Sequence, residues 1–204
     1  MKRLFTAMLP VLFLCVAPAT MAETKEMRAE NKHEIRIGVG EGVLDRLFIA
    51  SHDMYESKNI YTAPNIFLEY QYRINHWCGV GVQLNGAWWG ADLRKRFWNV
   101  TQDDWQHIVQ GGLAVMPTVR FTYLHKEWVN LYSGLSLGYY WGMNTFNEKT
   151  RHSHGAVGNV CALGVSVGRN HFFGTGEIGF MCGGTYDVLQ IGSRLLSLSI
   201  GYRL

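Results

Sequence analysis

The sequence predicts an all-β fold of eight antiparallel strands, on three observations. Apolar residues recur at every second position over most of the chain, 23 glycines stand against 4 prolines, and short turn-like segments alternate with long ones. A period of two places one side-chain set on each face of a pleated strand, whereas helices need a period of 3.6. Glycine-rich punctuation between such runs is the composition of turns and strand ends.

The strands follow in order. The first carries Ile35, Ile37 and Val39, the second Ile66, Leu68, Tyr70, Tyr72 and Ile74, and the third Cys78, Val80, Val82, Leu84 and Trp88. Val109, Leu113, Val115, Val119, Phe121 and Tyr123 mark the fourth, and Val129, Leu131, Leu135, Leu137, Tyr139 and Trp141 the fifth. The sixth is read from Val157, Cys161, Leu163, Val165 and Val167, and the seventh from Phe172, Ile178 and Phe180. The eighth sets Leu196, Leu198, Ile200, Tyr202 and Leu204 against Ser197, Ser199, Gly201 and Arg203. One competing period occurs: Trp128 to Asn147 is uncharged and spaces Gly134, Gly138 and Gly142 as a close-packing membrane helix would. The strict alternation there, and the dilution of its apolar character by Asn130, Ser133 and Ser136, decide for a strand.

The opposite parity holds Glu34, Arg36, Glu69, Gln71, Arg73, Gln83, Asn85, Thr118, Arg120, Thr122, Asn130, Ser136, Glu177 and Arg194. A membrane barrel turns its apolar face to lipid and its polar face to the lumen, and joins its strands by short periplasmic turns and longer external loops. Asn75-His76, His125 to Glu127 and Asn170-His171 read as the short turns; residues 43 to 62, 91 to 107, 144 to 155 and 182 to 187 read as the long loops. Both chain ends then lie on the short-turn side. On the apolar parity, Tyr72, Phe121, Tyr123, Phe172 and Tyr202 fall near the short turns, and Trp88, Tyr139, Trp141 and Phe180 near the long loops. Amphipathic rings at those two levels form the girdles of a transmembrane β-barrel. Arg169, the one charge of lipid parity, stands beside a turn, where its head reaches water or phosphate.

The N-terminus reads as an export signal: Met1-Lys2-Arg3, an apolar run from Leu4 to Val16, then Ala17, Ala19 and Ala22. The expected organisation is a cleavable signal peptide at 1–22, a short extension at 23–32 and a barrel at 33–204. Lipidation at Cys15 is disfavoured by Leu14, which stands where a small residue belongs. Loss of Lys2 and Arg3 with the leader leaves 17 basic residues against 16 acidic, so the basic character belongs mostly to the signal. No basic stripe interleaved with stacking aromatics remains, which argues against nucleic acid. Cys78, Cys161 and Cys182 are an odd number without ligand spacing, so neither a disulfide framework nor a metal centre is expected, and the three read as small apolar side chains facing lipid or neighbours.

With these segments in hand, above all Met116-Pro117-Thr118-Val119-Arg120-Phe121-Thr122-Tyr123-Leu124 and the ending Leu198-Ser199-Ile200-Gly201-Tyr202-Arg203-Leu204, the sequence resembles the small outer-membrane β-barrels of the OmpA and OmpX transmembrane type over residues 33 to 204. The resemblance implies residence in the cell outer membrane among its lipids and lipopolysaccharide. It also implies assembly by the barrel-assembly machinery through a terminal recognition strand, here Ile200, Tyr202 and Leu204. Members commonly finish on an aromatic residue, and this chain finishes on Leu204. The group includes structural proteins, adhesion factors, narrow pores and lipid-modifying enzymes, so fold does not select a role.

Candidate sites follow from chemistry. Glu34, Arg36, Glu69, Arg73, Arg120, Glu177, Arg194 and Arg203 are expected to pair and close a lumen that, at eight strands, side chains can fill; a narrow pore is the alternative. Arg151-His152-Ser153-His154 sets a hydroxyl between two imidazoles, the proximity that nucleophilic catalysis needs. It resembles the lipid A deacylase barrels, whose His and Ser lie two apart with a carboxylate nearby; here Ser153 adjoins both His152 and His154, and no acid follows until Glu177. A solvated loop is the expectation, with no cofactor and no metal. Gly174-Thr175-Gly176-Glu177-Ile178-Gly179 has dinucleotide spacing but no helix pattern after it. The basic and aromatic stretch Leu93-Arg94-Lys95-Arg96-Phe97-Trp98, followed by Asp103-Asp104-Trp105, suits contact with lipopolysaccharide phosphates or an extracellular ligand. A non-enzymatic barrel that stabilises the membrane or presents loops is the reading these features favour, with a lipid-modifying enzyme as the alternative from another class.

Overall fold

The computed structural model describes residues 32–41, 55–95, 105–126, 128–146, 149–169, 171–184 and 194–204. The expected signal peptide and all of the 23–32 extension except Lys32 lie outside them. Nine antiparallel strands appear among the described residues: β1 (His33–Gly40), β2 (Tyr55–Thr62), β3 (Asn65–Arg73), β4 (Cys78–Lys95), β5 (Gln106–His125), β6 (Val129–Phe146), β7 (Lys149–Val167), β8 (Phe172–Gly184) and β9 (Arg194–Arg203). They close into a ring, because β1 pairs with both β3 and β9, and each later strand pairs with the next through to β8–β9.

The ring has eight staves, since β2 and β3 are two lengths of one stave. Both pair with β4, β3 along Gly79–Gly86 and β2 along Trp89–Lys95. The break falls at Ala63-Pro64, where proline has no N–H to give the ladder; the Ala63 amide still donates to Trp88 at 3.1 Å. The first short turn is closed by Asn75, whose Oδ1 accepts from the amides of Trp77 and Cys78 at 3.1 and 2.7 Å. At the same end the two termini of the ring meet, with the Leu204 amide donating to His33 at 2.8 Å.

Outward apolar side chains leave the surface inverted relative to a water-soluble barrel. Ile37, Leu68, Leu84, Leu113, Leu137, Leu198 and Ile200 are all exposed, as are the girdle residues Tyr72, Trp88, Phe121, Tyr139, Trp141, Phe172 and Tyr202. Burying Glu34, Arg36, Glu69 and Arg120 while exposing leucine is stable only with lipid outside. Trp128 to Asn147 contains β6, not a helix.

Three expectations are corrected. The segments 43 to 62, 91 to 107 and 144 to 155 are not wholly loops. Tyr55–Thr62 is strand, β4 runs on to Lys95, β5 begins at Gln106, and β6 and β7 continue to Phe146 and from Lys149. The reason is that a strand beyond the membrane needs no apolar outer face, so alternation reports where lipid lies and not where the ladder stops. About 9–11 tilted residues cross the hydrocarbon; strands of 18 to 20 residues project well past it.

Second, Val157 and Cys161 face inward, buried, while Leu163 and Val167 of the same predicted set face outward. Both registers of β7 shift at one place: Cys161 pairs with Gly134 and Gly179, but Gly164 pairs with Tyr132 and Leu163 with Ile178. One extra residue at Ala162 therefore forms a bulge, and a single insertion exchanges the two faces. Third, the lumen is not polar throughout. Ala87, Trp89, Ala91 and Leu93 continue the inward parity of Gln83 and Asn85 along β4, so the inside turns apolar toward the long-loop end.

Candidate functional site: the charged lumen

Alternation on β1 points Ile35 and Ile37 out and Glu34 and Arg36 in. The same logic brings Glu69, Gln71 and Arg73 from β3, Thr118 and Arg120 from β5, Tyr132 from β6, Glu177 from β8 and Arg203 from β9 into one volume near the short-turn end. Arg36 is its hub. Its Nη2 lies 2.5 Å from Glu69 Oε2, and its Nη1 lies 2.5 Å from Glu177 Oε1. Nη1 also donates to Tyr132 Oη at 2.9 Å, and that hydroxyl donates to Glu177 Oε1 at 2.8 Å.

A second set surrounds Glu34. Arg73 Nη2, Arg120 Nη1 and Arg203 Nε stand 2.6, 2.9 and 3.1 Å from its two oxygens. Arg120 Nη2 joins the two sets through Glu69 Oε1 at 2.7 Å. Amides and hydroxyls occupy further lone pairs: Gln71 Nε2 donates to Glu69 Oε1 at 3.0 Å, and Ser197 Oγ to Glu177 Oε2 at 3.0 Å. Aromatic faces support the guanidinium planes, with Arg120 4.4 Å from the Tyr132 ring centroid and Arg203 4.6 Å from that of Phe173. Glu34, Glu69 and Glu177 each accept from at least one guanidinium, so none is placed as a general base.

Toward the long-loop end amide and apolar side chains interleave: Gln83, Asn85 and Asn159 stand opposite Met116, Ala114 and Met181 across the ladder, these three cluster with Ala87, Tyr140 and Val157, and Gln110 stands opposite Trp89. Trp89, Ala91, Leu93 and Ile108 continue the apolar cluster, with Ile60 packed against them. A cavity of about 20 Å³ remains beside Glu34, Arg73 and Arg120, and one of about 10 Å³ beside Asn85, Tyr140 and Met181. One water needs roughly 10–15 Å³, so neither space holds a file of waters.

The sequence analysis names no lumen aromatic, although Tyr132 and Tyr140 share the even parity of Asn130 and Ser136 on β6. Glycines make room for them. A Cβ on Gly164 would strike the Tyr132 ring, and one on Gly201 would strike the Phe173 ring. Arg194 begins β9, but its side chain lies outside the described residues, as does that of Cys182.

The remaining candidates are placed as follows. Residues 151–154 belong to β7, so consecutive side chains take opposite faces. His152 and His154 are exposed on the outer face, His154 edge-on to Tyr139 with ring centroids 6.0 Å apart, whereas Ser153 turns inward. The hydroxyl and the imidazoles are thus on different sides of the wall. Ile200, Tyr202 and Leu204 are exposed on the outside of β9 and the residue beyond it. Among the described residues no three His, Cys, Asp or Glu side chains gather as metal ligands would.

Of the basic and aromatic stretch, residues 96–104 lie outside the described residues. The rest joins the projecting β2–β4–β5 wall: Arg94 pairs with Glu56 at 2.6 Å, and Lys58 and Arg94 lie 3.9 and 4.9 Å from the Trp105 ring centroid. Asp92 takes hydrogen bonds from His107 at 2.8 Å and Asn59 at 2.7 Å, which hold its carboxyl below the usual aspartate range.

No protein-family model matches the sequence, and no curated protein matches it. Among solved structures, the N-terminal β-barrel domain of Pseudomonas aeruginosa OprF is similar at a TM-score of 0.51 and 10% identity, covering 87% of this chain and 100% of that one. The P. aeruginosa outer membrane protein OprG gives 0.48 and 13%, covering 88% and 99%. Ail, the attachment invasion locus protein of Yersinia pestis, gives 0.44 and 17%, covering 86% and 99%. The likeness to OprF concerns the fold: this chain is built as a small β-barrel of the outer-membrane type.

Proposed function

We propose that this chain is a non-conducting barrel of the cell outer membrane, with a structural or surface-interaction role carried by its projecting strands. The observation that carries the reading is the filling of the lumen, by an ionic group near the short-turn end and by interleaved amide and apolar side chains from there toward the long loops. An ion would have to displace the Arg36–Glu69–Glu177 group and then pass the packed cluster around Met116 and Tyr140, where too few polar groups stand to replace its hydration shell. The long staves support the second half of the reading, since β4 to β7 extend beyond what a membrane requires and raise a folded wall on which Arg94, Trp105 and Lys58 stand. Its partners would be the surrounding lipids and lipopolysaccharide, and an extracellular ligand at that wall. Ile200, Tyr202 and Leu204 would be the signal presented to the barrel-assembly machinery.

Planar-bilayer recording of the folded chain tests the closure. The expected record shows no steady unitary conductance at moderate voltage. Reproducible long-lived openings would overturn the reading in favour of a narrow pore.

A further inference from the structure

One group of donor side chains lies outside the lumen and away from the β2–β4–β5 wall. On the outer face of β6 and β7, Met143 stands directly opposite His152, and Trp141 directly opposite His154. Met143, His152 and His154 are all exposed there. The sequence spacing alone offers two imidazoles on one strand, and the ladder adds a thioether from its neighbour. Directly opposed residues hold their Cβ atoms about 5 Å apart, residues two apart on one strand about 7 Å, and diagonal neighbours about 7–8 Å. Imidazole nitrogens and a thioether sulfur extend several bonds beyond Cβ, so all three reach one point above that triangle.

The surroundings leave the point open. Gly111 pairs with Met143 from the β5 side and adds no side chain. On the other side the ladder between β7 and β8 runs no higher than Ala156, so no β8 residue pairs with His152 or His154 among the described residues. The hydroxyls of Thr145 and Thr150, 3.4 Å apart, bound the group above, and the Tyr139–Trp141 ring pair bounds it below. The His154 ring stands edge-on to Tyr139, with centroids 6.0 Å apart, and turns toward Met143 by a change of rotamer in an exposed side chain. Lys149 and Arg151, the cations at this end of β7, take the opposite parity. No carboxylate stands on β6 or β7.

The donors decide the ion. Calcium and magnesium need oxygen ligands, and zinc sites draw on thiolate, imidazole and carboxylate. Thioether with imidazole is a copper set, the soft sulfur favouring the reduced ion. Three uncharged ligands also suit a single positive charge better than a double one. We propose that Met143, His152 and His154 form a surface site for one copper(I) ion. The site lies outside the lumen, so the result of a conductance measurement does not bear on it.

The test uses the full-length chain folded in non-ionic detergent, with its accessible thiols blocked by N-ethylmaleimide because thiolates also take copper(I). Copper(I) is titrated without oxygen and with ascorbate present, against the coloured competitor bicinchoninate. The expected result is one copper(I) per chain withdrawn from the competitor, with a sulfur neighbour in its X-ray absorption spectrum. Loss of an outer-shell partner alone costs a metal site about 10–100-fold, so Met143→Leu and His152→Ala should each weaken binding by at least ~10-fold. Met143→Leu should also remove the sulfur signal, and His76→Ala, on a short turn at the far end, should leave affinity and spectrum unchanged. These side chains are exposed, so each variant should keep the parent's gel mobility before and after boiling. A blocked parent chain that withdraws no copper(I) overturns the site. Undiminished binding with a sulfur signal in Met143→Leu overturns it in favour of a residual thiol, and a parent spectrum without sulfur overturns it in favour of a chelate of imidazoles alone.

Discussion

Replacing Arg36 with methionine removes the group that joins Glu69 to Glu177. Two carboxylates then face each other in the closed lumen, each having lost a contact of 2.5 Å. Breaking a buried ion pair by deleting one partner costs roughly 3–5 kcal/mol. Methionine can adapt to the space between the Phe67 and Tyr132 rings, now 5.6 and 5.9 Å from the guanidinium carbon, so cavity formation adds little. Arg120 still reaches Glu69 at 2.7 Å and Ser197 still reaches Glu177 at 3.0 Å, which favours the lower half of the range. With a urea slope of about 2 kcal/mol per molar, the unfolding midpoint should fall by roughly 1.5–2 M. Tryptophan fluorescence of the chain folded into lipid vesicles reads that midpoint directly. Adding Glu177→Gln to Arg36→Met should restore part of the loss, because the second change removes one orphaned charge; the coupling expected between touching residues is about 1–3 kcal/mol. A single variant that unfolds at the parent's midpoint with the parent's slope would refute the claim that these pairs hold the lumen shut.

Glycine and lipid-face variants extend the test. Gly38→Ala drives a Cβ into the Leu198 carbonyl and the Phe67 ring, so a loss of roughly 1–3 kcal/mol is expected in the same assay, whereas Gly174→Ala meets nothing nearer than 4.0 Å and should be close to neutral. Leu198→Arg places a charge on a side chain 69% exposed to lipid. Four residues above Tyr202 put it near mid-depth, and the loss should be about 2–4 kcal/mol, measured by urea titration in vesicles; a neutral result would mean that this face does not contact hydrocarbon.

Fold class was legible because lipid imposes alternation, and alternation survives without knowledge of partners. Ile35 and Ile37 declare one face of β1, and Glu34 and Arg36 must take the other. The failures have local causes. Val157 and Cys161 share the sequence parity of Leu163 and Val167 yet face the other way, because one inserted residue, Ala162, reverses parity and leaves no mark in composition. Tyr55–Thr62 has the sequence character of a loop, because a strand above the membrane needs no apolar outer face. At the site, the residue types were visible but not their partners: Arg36 and Glu177 lie 141 positions apart, and alternation says which side a residue faces without saying which neighbour it meets. The apolar upper lumen was hidden for a similar reason. Trp88 and Trp89 are adjacent and face opposite ways, so where both faces are apolar the period of two loses its contrast.

The seam of the ring bears on how the molecule forms. β1 closes against β9, so Glu34 lies opposite Arg203, and the Arg203–Glu34 ion pair spans 169 positions. Contacts so distant along the chain form slowly, because their loop entropy is lost before they contribute anything. Until β9 is present, β1 and β8 each show a row of unpaired amides and carbonyls, which hydrocarbon does not tolerate and which would recruit foreign strands in water. Completion is therefore a single late event. A chain truncated before β9 should behave as an aggregation-prone ribbon and not as a barrel with one stave missing. In a growing polypeptide, the first stave has to wait, protected by something other than its final neighbour, until the last one has been made.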